Sequence, residues 1–427
     1  MLKQGTLLRE LQSIAGKKHA REPKDDLECT VDGMSPQVIV EPGTYEEVAD
    51  ILRFASAERL AVIPRGGGHL MHLGNLPKGY DVALSLARLD KVIDHEPSDL
   101  TVTCQAGITI GALNDRLSAS GQMVPLSPRS DSADPRTVGG LLALNMGDVR
   151  AAYGGARDFT IGMRVITADG RISKAGGKVV KNVAGYDLCK LYIGSRGTLV
   201  VIAEATFKLF PQPQVNETAS FKFAACADAC RVATEAKASG LSILDAHVIL
   251  DNNRSGDRTA GYLLYITCSG DPEAVRYSNK QVQELADRAG GTPFDRVRQG
   301  EGPISKGDSG YAGHPVSARV RLLPTQVPAF VEMMEEGTEG LFDAAPLLGE
   351  VTWIWLKAGN QRAWVEAGQA AASRLGGTFE VQFCSPELKR EIDVFGPPPP
   401  SFPLMRAIKQ QFDPNNILSP GRFVGRL

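Results

Sequence analysis

The residues that most constrain this chain are Pro64-Arg65-Gly66-Gly67-Gly68-His69, a triple glycine directly behind the apolar run Leu60-Ala61-Val62-Ile63. Three adjacent residues without Cβ let backbone N–H groups converge on an anion, so a strand leaving into this turn reads as a diphosphate cradle and the chain as the holder of a nucleotide-type cofactor. Alone, the run is equally a surface turn. The rest of the sequence has to decide.

At 427 residues the chain is too long for one ordinary core, and two domains are expected. Its 47 basic and 49 acidic residues leave a net charge of −2, without the basic surplus that nucleic-acid binding requires. No apolar run is long enough to cross a membrane, and Met1-Leu2-Lys3-Gln4-Gly5 does not open a signal peptide, so the expectation is a soluble, cytoplasmic protein. The seven cysteines (29, 104, 189, 226, 230, 268 and 384) contain no CxxC pair, which argues against a disulfide framework, a zinc site or an iron–sulfur cluster. No metal site is expected. Cys226 and Cys230, four apart in a helical stretch, read as packing residues.

Residues 1–35 read as an N-terminal helical segment leading to a strand at Gln37–Val40. Thr44 and Glu47 form a capping box ahead of Val48, Ile51, Leu52 and Ala55, which predicts an amphipathic helix over 45–58. The strand at 60–63 then closes a βαβ unit whose exit is the glycine turn. Strands follow at Asp81–Leu86 and Leu100–Cys104, then a helix carrying Ile110, Leu113 and Leu117. After residue 159 the pattern turns β-rich, with Met163–Ala168, the turn Asp169-Gly170 and the strand Leu199–Leu209, and it stops at Pro211-Gln212-Pro213. The domains are therefore placed at 36–212 and 213–390. The second shows strands near 218–223, 241–249, 261–267, 317–323, 351–356 and 378–383 and helices near 227–238, 273–288, 325–336 and 361–375, an α+β pattern of ferredoxin-like type with helices on one face of an antiparallel sheet. Pro397–Pro400 is a stiff spacer that delivers a segment, 391–427, expected to return to the first domain.

Several familiar signatures are missing: GxGxxG, the Walker GK[ST], HExxH and CxxC. Gly307-Asp308-Ser309-Gly310 imitates a serine-protease segment without partners for a triad, and Ile193-Gly194-Ser195-Arg196-Gly197 misses the hydrolase elbow by its first residue. Two further glycine-rich segments supply the positive evidence. Pro135-Arg136-Thr137-Val138-Gly139-Gly140 opens the apolar run Leu141–Leu144, followed by Asn145, Tyr153-Gly154 and Asp158; the glycine pair allows close approach to a phosphate or ring, and Thr137 and Asn145 offer hydrogen bonds. Gly176-Gly177-Lys178 through Leu188 then precedes Gly194-Ser195-Arg196-Gly197-Thr198-Leu199.

This succession resembles the FAD-binding domain of the vanillyl-alcohol oxidase and p-cresol methylhydroxylase family. By that resemblance Pro64, Arg65, Gly66, Gly67, Gly68 and His69 stand in the pyrophosphate loop. Thr137, Val138, Gly139, Gly140 and Asn145 lie along the pyrophosphate and isoalloxazine, with Tyr153, Gly154 and Asp158 after them. Gly197, Leu199 and Ile202 meet the adenosine end. The stretch Lys181-Asn182-Val183-Ala184-Gly185-Tyr186-Asp187-Leu188, with Phe412-Asp413-Pro414 and Pro420-Gly421-Arg422, looks most like the FAD-binding E subunit of bacterial glycolate oxidase. The fold this implies is a two-subdomain FAD-binding domain followed by a ferredoxin-like cap.

Two departures bear on chemistry. In glycolate oxidase E subunits a threonine usually follows the triple glycine, whereas this chain has His69; relatives of the berberine-bridge type carry FAD on a histidine there. His69 therefore either replaces the threonine as a hydrogen-bond donor or bonds the flavin covalently, with His72 the next candidate. Sister D-type subunits carry an HGDGN-like stretch for metal and substrate, and this chain has none. Oxidising a 2-hydroxy acid calls for a base and a cation. His314, Arg319 and Arg321, near one cap strand, are the candidates, against the alternative of a solvated basic strand edge. Trp353 and Trp355 share a strand face and read as packing, while Lys178 and Lys181 either place charge near the flavin or sit in surface ion pairs.

The resemblance implies an FAD-binding subunit that oxidises a small 2-hydroxy acid beside a second flavin subunit and passes electrons to an iron–sulfur subunit, with membrane association through those partners. A self-sufficient FAD oxidase and a non-catalytic flavin-binding assembly subunit are the alternatives.

Overall fold

The structure is a computed structural model that describes residues 4–25, 27–126, 134–145, 151–178, 185–250, 261–294, 315–335, 340–355 and 359–427. Two compact units emerge: Met1–Val149 with Gly154–Pro211 and Lys389–Leu427, and Arg150–Tyr153 with Gln212–Leu388.

The first unit begins with α1 (Gln4–Ala15), whose Leu7, Leu11 and Ala15 are buried, then β1 (Ala20–Arg21) and β2 (Val38–Val40). Helix α2 (Tyr45–Glu58) starts where its cap predicts. Thr44 accepts from the Glu47 amide at 3.1 Å, but the Glu47 carboxylate returns to the Gly43 amide, one residue before the cap, at 2.6 Å. Strands β3 (Val62–Arg65) and β4 (Val82–Ser85) complete a four-stranded sheet ordered β1-β2-β4-β3. Its last three strands are parallel, so the βαβ unit seen in the sequence holds β4 between its two strands.

A second, antiparallel sheet is ordered β5-β6-β10-β8-β9. Its first strands are β5 (Val92–Glu96) and β6 (Thr101–Gln105), followed by α3 (Ile110–Ser118), β7 (Gln122–Met123), α4 (Val138–Leu144) and α5 (Ala156–Phe159). Then come β8 (Thr160–Thr167), β9 (Ile172–Gly176), α6 (Leu188–Tyr192), β10 (Val200–Lys208) and β11 (Phe210–Pro211). The sequence does not announce β5: Val-Ile-Asp-His-Glu is a half-exposed edge strand without an apolar face. Strand β10, in the middle of the sheet, is buried from Val200 to Phe207. One apolar core joins both sheets with α1, α2, α3 and α4.

The second unit is one eight-stranded sheet. Its first half is β12 (Val215–Phe223), α7 (Cys226–Ala238), β13 (Ile243–Leu250), β14 (Tyr262–Gly270), α8 (Pro272–Arg288) and β15 (Thr292–Pro293). Its second half is β16 (Val316–Arg321), α9 (Val327–Glu335), β17 (Gly340–Ala345), β18 (Glu350–Trp355), α10 (Gln361–Arg374) and β19 (Thr378–Phe383). Both halves run βαββαβ. The sheet order β15-β12-β14-β13-β17-β18-β16-β19 makes them two ferredoxin-like units joined edge to edge, with Val248 opposite Ala344. The sequence pattern finds six of these eight strands and misses β15 and β17, the first a two-residue strand and the second a stretch with glycine and two alanines.

Helices α8, α7, α9 and α10 pack side by side on one sheet face. There Trp353 is fully buried, stacked on Phe342 at 5.6 Å and met edge-on by Phe330 of α9 at 6.3 Å, so it is a core residue. Cys226 and Cys230 are buried in α7, Sγ to Sγ 3.9 Å. After α11 (Pro386–Glu391) the chain rejoins the first unit and forms α12 (Phe402–Phe412).

Candidate functional site

Strand β3 delivers Arg65 to the glycine loop, and the loop is closed to side chains. A Cβ on Gly66 would sit 1.9 Å from Thr137 Oγ1, and one on Gly67 would sit 2.7 Å from the His69 ring. Gly68 has φ +84°, where an L residue is strained. Thr137 backs the loop because it caps α4, accepting from the Gly140 amide at 3.3 Å. The Gly139 amide donates to Ala106 C=O at 2.7 Å, which draws α4 against the end of β6.

The loop forms one wall of a cleft. Pro64, Arg65, Gly66, Gly67, Gly68, His69, Thr137, Gly139, Gly140, Gly197 and Ile202, all nominated from sequence, line it. So do Arg136, Arg196, Ser419 and Arg422, which were not nominated, although each falls within or beside a glycine-rich or proline-glycine segment quoted above. Among the described residues four arginines and a histidine line the cleft and no carboxylate does. Arg136 is neutralised behind the wall by Asp134 at 2.8 Å, both buried. Arg65 meets Cys29 Sγ through Nη1; burial of that thiol pushes its pKa up, partly countered by the Arg65 charge. The Arg196 guanidinium lies 4.8 Å over the Phe395 ring.

The C-terminal segment builds the remaining wall. The strip 417–419 pairs with Val62 of β3, whose N–H donates to Ile417 C=O at 2.8 Å and whose C=O accepts from Ser419 N at 2.9 Å. This strip is held by Asp413, which accepts from the amides of Ile417 and Leu418 and from Lys409 Nζ. Lys409 also donates to the carbonyls of Thr198 and Leu418, and burial lowers its pKa. Asn75, behind the glycine loop, is locked to Asp393, Val394 and Phe423.

The other nominated residues lie outside the cleft lining. Val138 and Leu199 are core residues, Asn145 caps α4 with φ +48°, and Asp158 accepts from the Gly155 amide at 2.6 Å beside Gly154. Tyr153 belongs to the stretch grouped with the second unit. In that unit Arg319 pairs with Glu380 at 3.5 Å and Arg321 with Glu350 at 3.1 Å, so each nominated cation faces a carboxylate of its own sheet. Lys178 pairs with Asp94. His72 accepts at its backbone carbonyl from Lys389. His314, Lys181 and the side chain of Trp355 lie outside the described residues. Among the described residues no group of three His, Cys, Asp or Glu side chains could hold a metal ion. No described helix is long and apolar enough to cross a membrane.

Residues 36–176 match the family model of an FAD-binding domain, and residues 398–423 match that of the C-terminal domain of FAD-linked oxidases. The chain is 30% identical to a D-lactate dehydrogenase of Archaeoglobus fulgidus over 91% of its own length and 92% of the relative's. It belongs to this family of FAD-linked oxidoreductases. It is also 26% identical to the glycolate oxidase subunit GlcD of Bacillus subtilis, over 92% of this chain and 89% of that one. A p-cresol methylhydroxylase structure with substrate bound shares the fold, with a TM-score of 0.72 at 18% identity, covering 98% of this chain and 96% of that one.

The cofactor of this oxidoreductase is FAD, and the cleft fits it. Its loop admits no side chain; among the described residues its lining carries positive charge without a carboxylate, and one guanidinium donor, Arg422 Nη1, is buried beside it without a hydrogen-bond partner.

Proposed function

We propose that the chain holds FAD in the arginine-lined cleft and uses it to oxidise a small 2-hydroxy acid. When bound, FAD supplies the acceptor for the hydride that leaves the hydroxyl-bearing carbon. The glycine loop and Thr137 lie against the diphosphate, Gly139 and Gly140 let α4 approach the cofactor, and Gly197 and Ile202 form the wall beyond. The observation that carries the reading is the cleft over the triple glycine, whose described lining holds arginines and no acid, in a chain related over nearly its whole length to a D-lactate dehydrogenase.

Electrons leave through a partner iron–sulfur subunit in a glycolate-oxidase-like complex. Two features support this: likeness to a protein named as a glycolate oxidase subunit, and seven dispersed cysteines that offer no CxxC motif for a cluster of the chain's own. A second reading, a self-sufficient dehydrogenase, draws on the D-lactate dehydrogenase relative, which is not named as a subunit.

The test is the visible spectrum of the purified full-length chain, before and after acid precipitation, followed by anaerobic addition of glycolate, D-lactate or D-2-hydroxyglutarate. Flavin bands bleached by one of these acids establish the oxidation. Bleaching by the isolated chain selects the self-sufficient enzyme, and bleaching only with partner subunits selects the complex. A washed protein without flavin bands overturns the placement of the cofactor. Flavin that stays with the acid precipitate assigns His69, whose ring lies over Gly67, as a covalent attachment point; flavin in the supernatant assigns it a hydrogen-bonding role.

A further inference from the structure

We propose that Arg422 binds the diphosphate of bound FAD and so makes the cleft select FAD over flavins without a diphosphate; this rests on the cofactor placement given above. The Arg422 side chain is buried, and Nη2 donates to the carbonyls of Met71 and Leu73 at 2.7 and 2.5 Å. Nη1 is equally buried and has no hydrogen-bond partner among the described residues. Asp32, the acid whose charge reaches this guanidinium, is occupied by Lys389 Nζ at 2.8 and 2.9 Å.

A guanidinium removed from water with a donor left over and no carboxylate against it is expensive to bury. Arg422 lines the cleft, whose described lining also holds Arg65 and Arg196 and no Asp or Glu. An anion there gains a charge-assisted hydrogen bond from Nη1, and the planar fork suits phosphate oxygens. Burial pushes the Arg422 pKa down to about 10, against the opposing charge of Asp32. Because the same side chain ties the loop carbonyls at Met71 and Leu73, one residue links the C-terminal segment, the glycine loop and the anion.

The experiment titrates the flavin-free, full-length chain with FAD and with riboflavin, following flavin fluorescence, and uses inorganic pyrophosphate as a competitor. If the flavin resists removal, the titrations are run in the His69→Ala background. Arg422→Met is expected to weaken FAD about 10- to 100-fold, to change riboflavin binding less than about threefold, and to abolish competition by pyrophosphate. Arg422→Lys, which keeps the charge without the fork, is expected to fall between wild type and Arg422→Met for FAD. Equal losses for FAD and riboflavin mean that Arg422 only braces the loop, and they overturn the proposal; so does unchanged FAD affinity. Should Arg422→Met fail to fold, Arg422→Lys and the wild-type competition decide, and a wild-type chain indifferent to pyrophosphate overturns it. Gly66→Val separates the two readings. If it binds FAD normally the cofactor placement fails, whereas if it loses FAD and Arg422→Met keeps it, only the role of Arg422 fails.

Discussion

The two units use the same charged residue types to opposite ends. In the second unit the arginines on the sheet are neutralised across neighbouring strands, Arg319 by Glu380 and Arg321 by Glu350, and His247 Nδ1 lies 2.8 Å from a carboxylate oxygen of Asp343. In the first unit buried pairs such as Lys409–Asp413 and Lys389–Asp32 stand behind the cleft, while among the described residues the cleft itself is lined by four arginines and no acid. A sheet that balances its own charge is complete as built. A cleft that concentrates one sign is finished by a ligand of the other sign.

The strongest way to break this contrast is to fill the cradle. Gly66→Val places side-chain atoms on top of Thr137, and the expected outcome is a chain with native circular dichroism and no flavin absorbance after purification. Next comes Lys409→Met, which strands the buried Asp413 carboxylate: a loss of about 3 kcal/mol in denaturant unfolding is expected, with part of it recovered in the double variant Lys409→Met, Asp413→Asn. A loss below about 1 kcal/mol would show that this hub does not hold the strip beside β3.

In the second unit Arg321→Ala, at a pair whose side chains are 41% and 33% exposed, is expected to cost less than about 1 kcal/mol. Arg319→Ala, at a pair 10% and 14% exposed, is expected to cost more, and the same unfolding measurement ranks the two. The smallest effect belongs to the first unit's edge. Hydrogen bonds from Arg21, then one from the Lys24 amide, hold the Glu28 carboxyl down at about 2 against an ordinary 4.5. A depressed carboxylate stabilises the fold above its unfolded pKa and loses that contribution as pH falls through the folded one, so the Glu28 share is full above 4.5 and fades toward 2. Because the pair is partly exposed, Glu28→Gln is expected to cost at most about 0.5 kcal/mol at neutral pH and nothing at the acid end of that window, by urea unfolding at several pH values.

Much of the fold is legible where a local rule acts alone. The helix Tyr45–Glu58 follows from its cap and its apolar spacing, and the helices and most strands of the second unit follow from their periodicity. Strand β5 is not legible, because an edge strand need not alternate, and β17 is not, because its glycine and alanines carry little strand signal. The glycine loop and Thr137 were legible as candidates because a run of missing side chains marks a place where backbone can be approached closely, and the structure brings them to one cleft. Arg136, Arg196 and Arg422 were not: an arginine inside a motif looks the same whether a carboxylate faces it or a cleft does.

The sequence by itself therefore determined the class of cofactor and the layout of elements, since glycine runs, caps and periodicity are local statements about backbone and burial. Only the tertiary structure decided which charges cancel. It set Glu380 and Glu350 against the two nominated cap arginines and left Nη1 of Arg422 buried beside the cleft without a hydrogen-bond partner among the described residues, because charge compensation depends on distances between residues far apart in the chain.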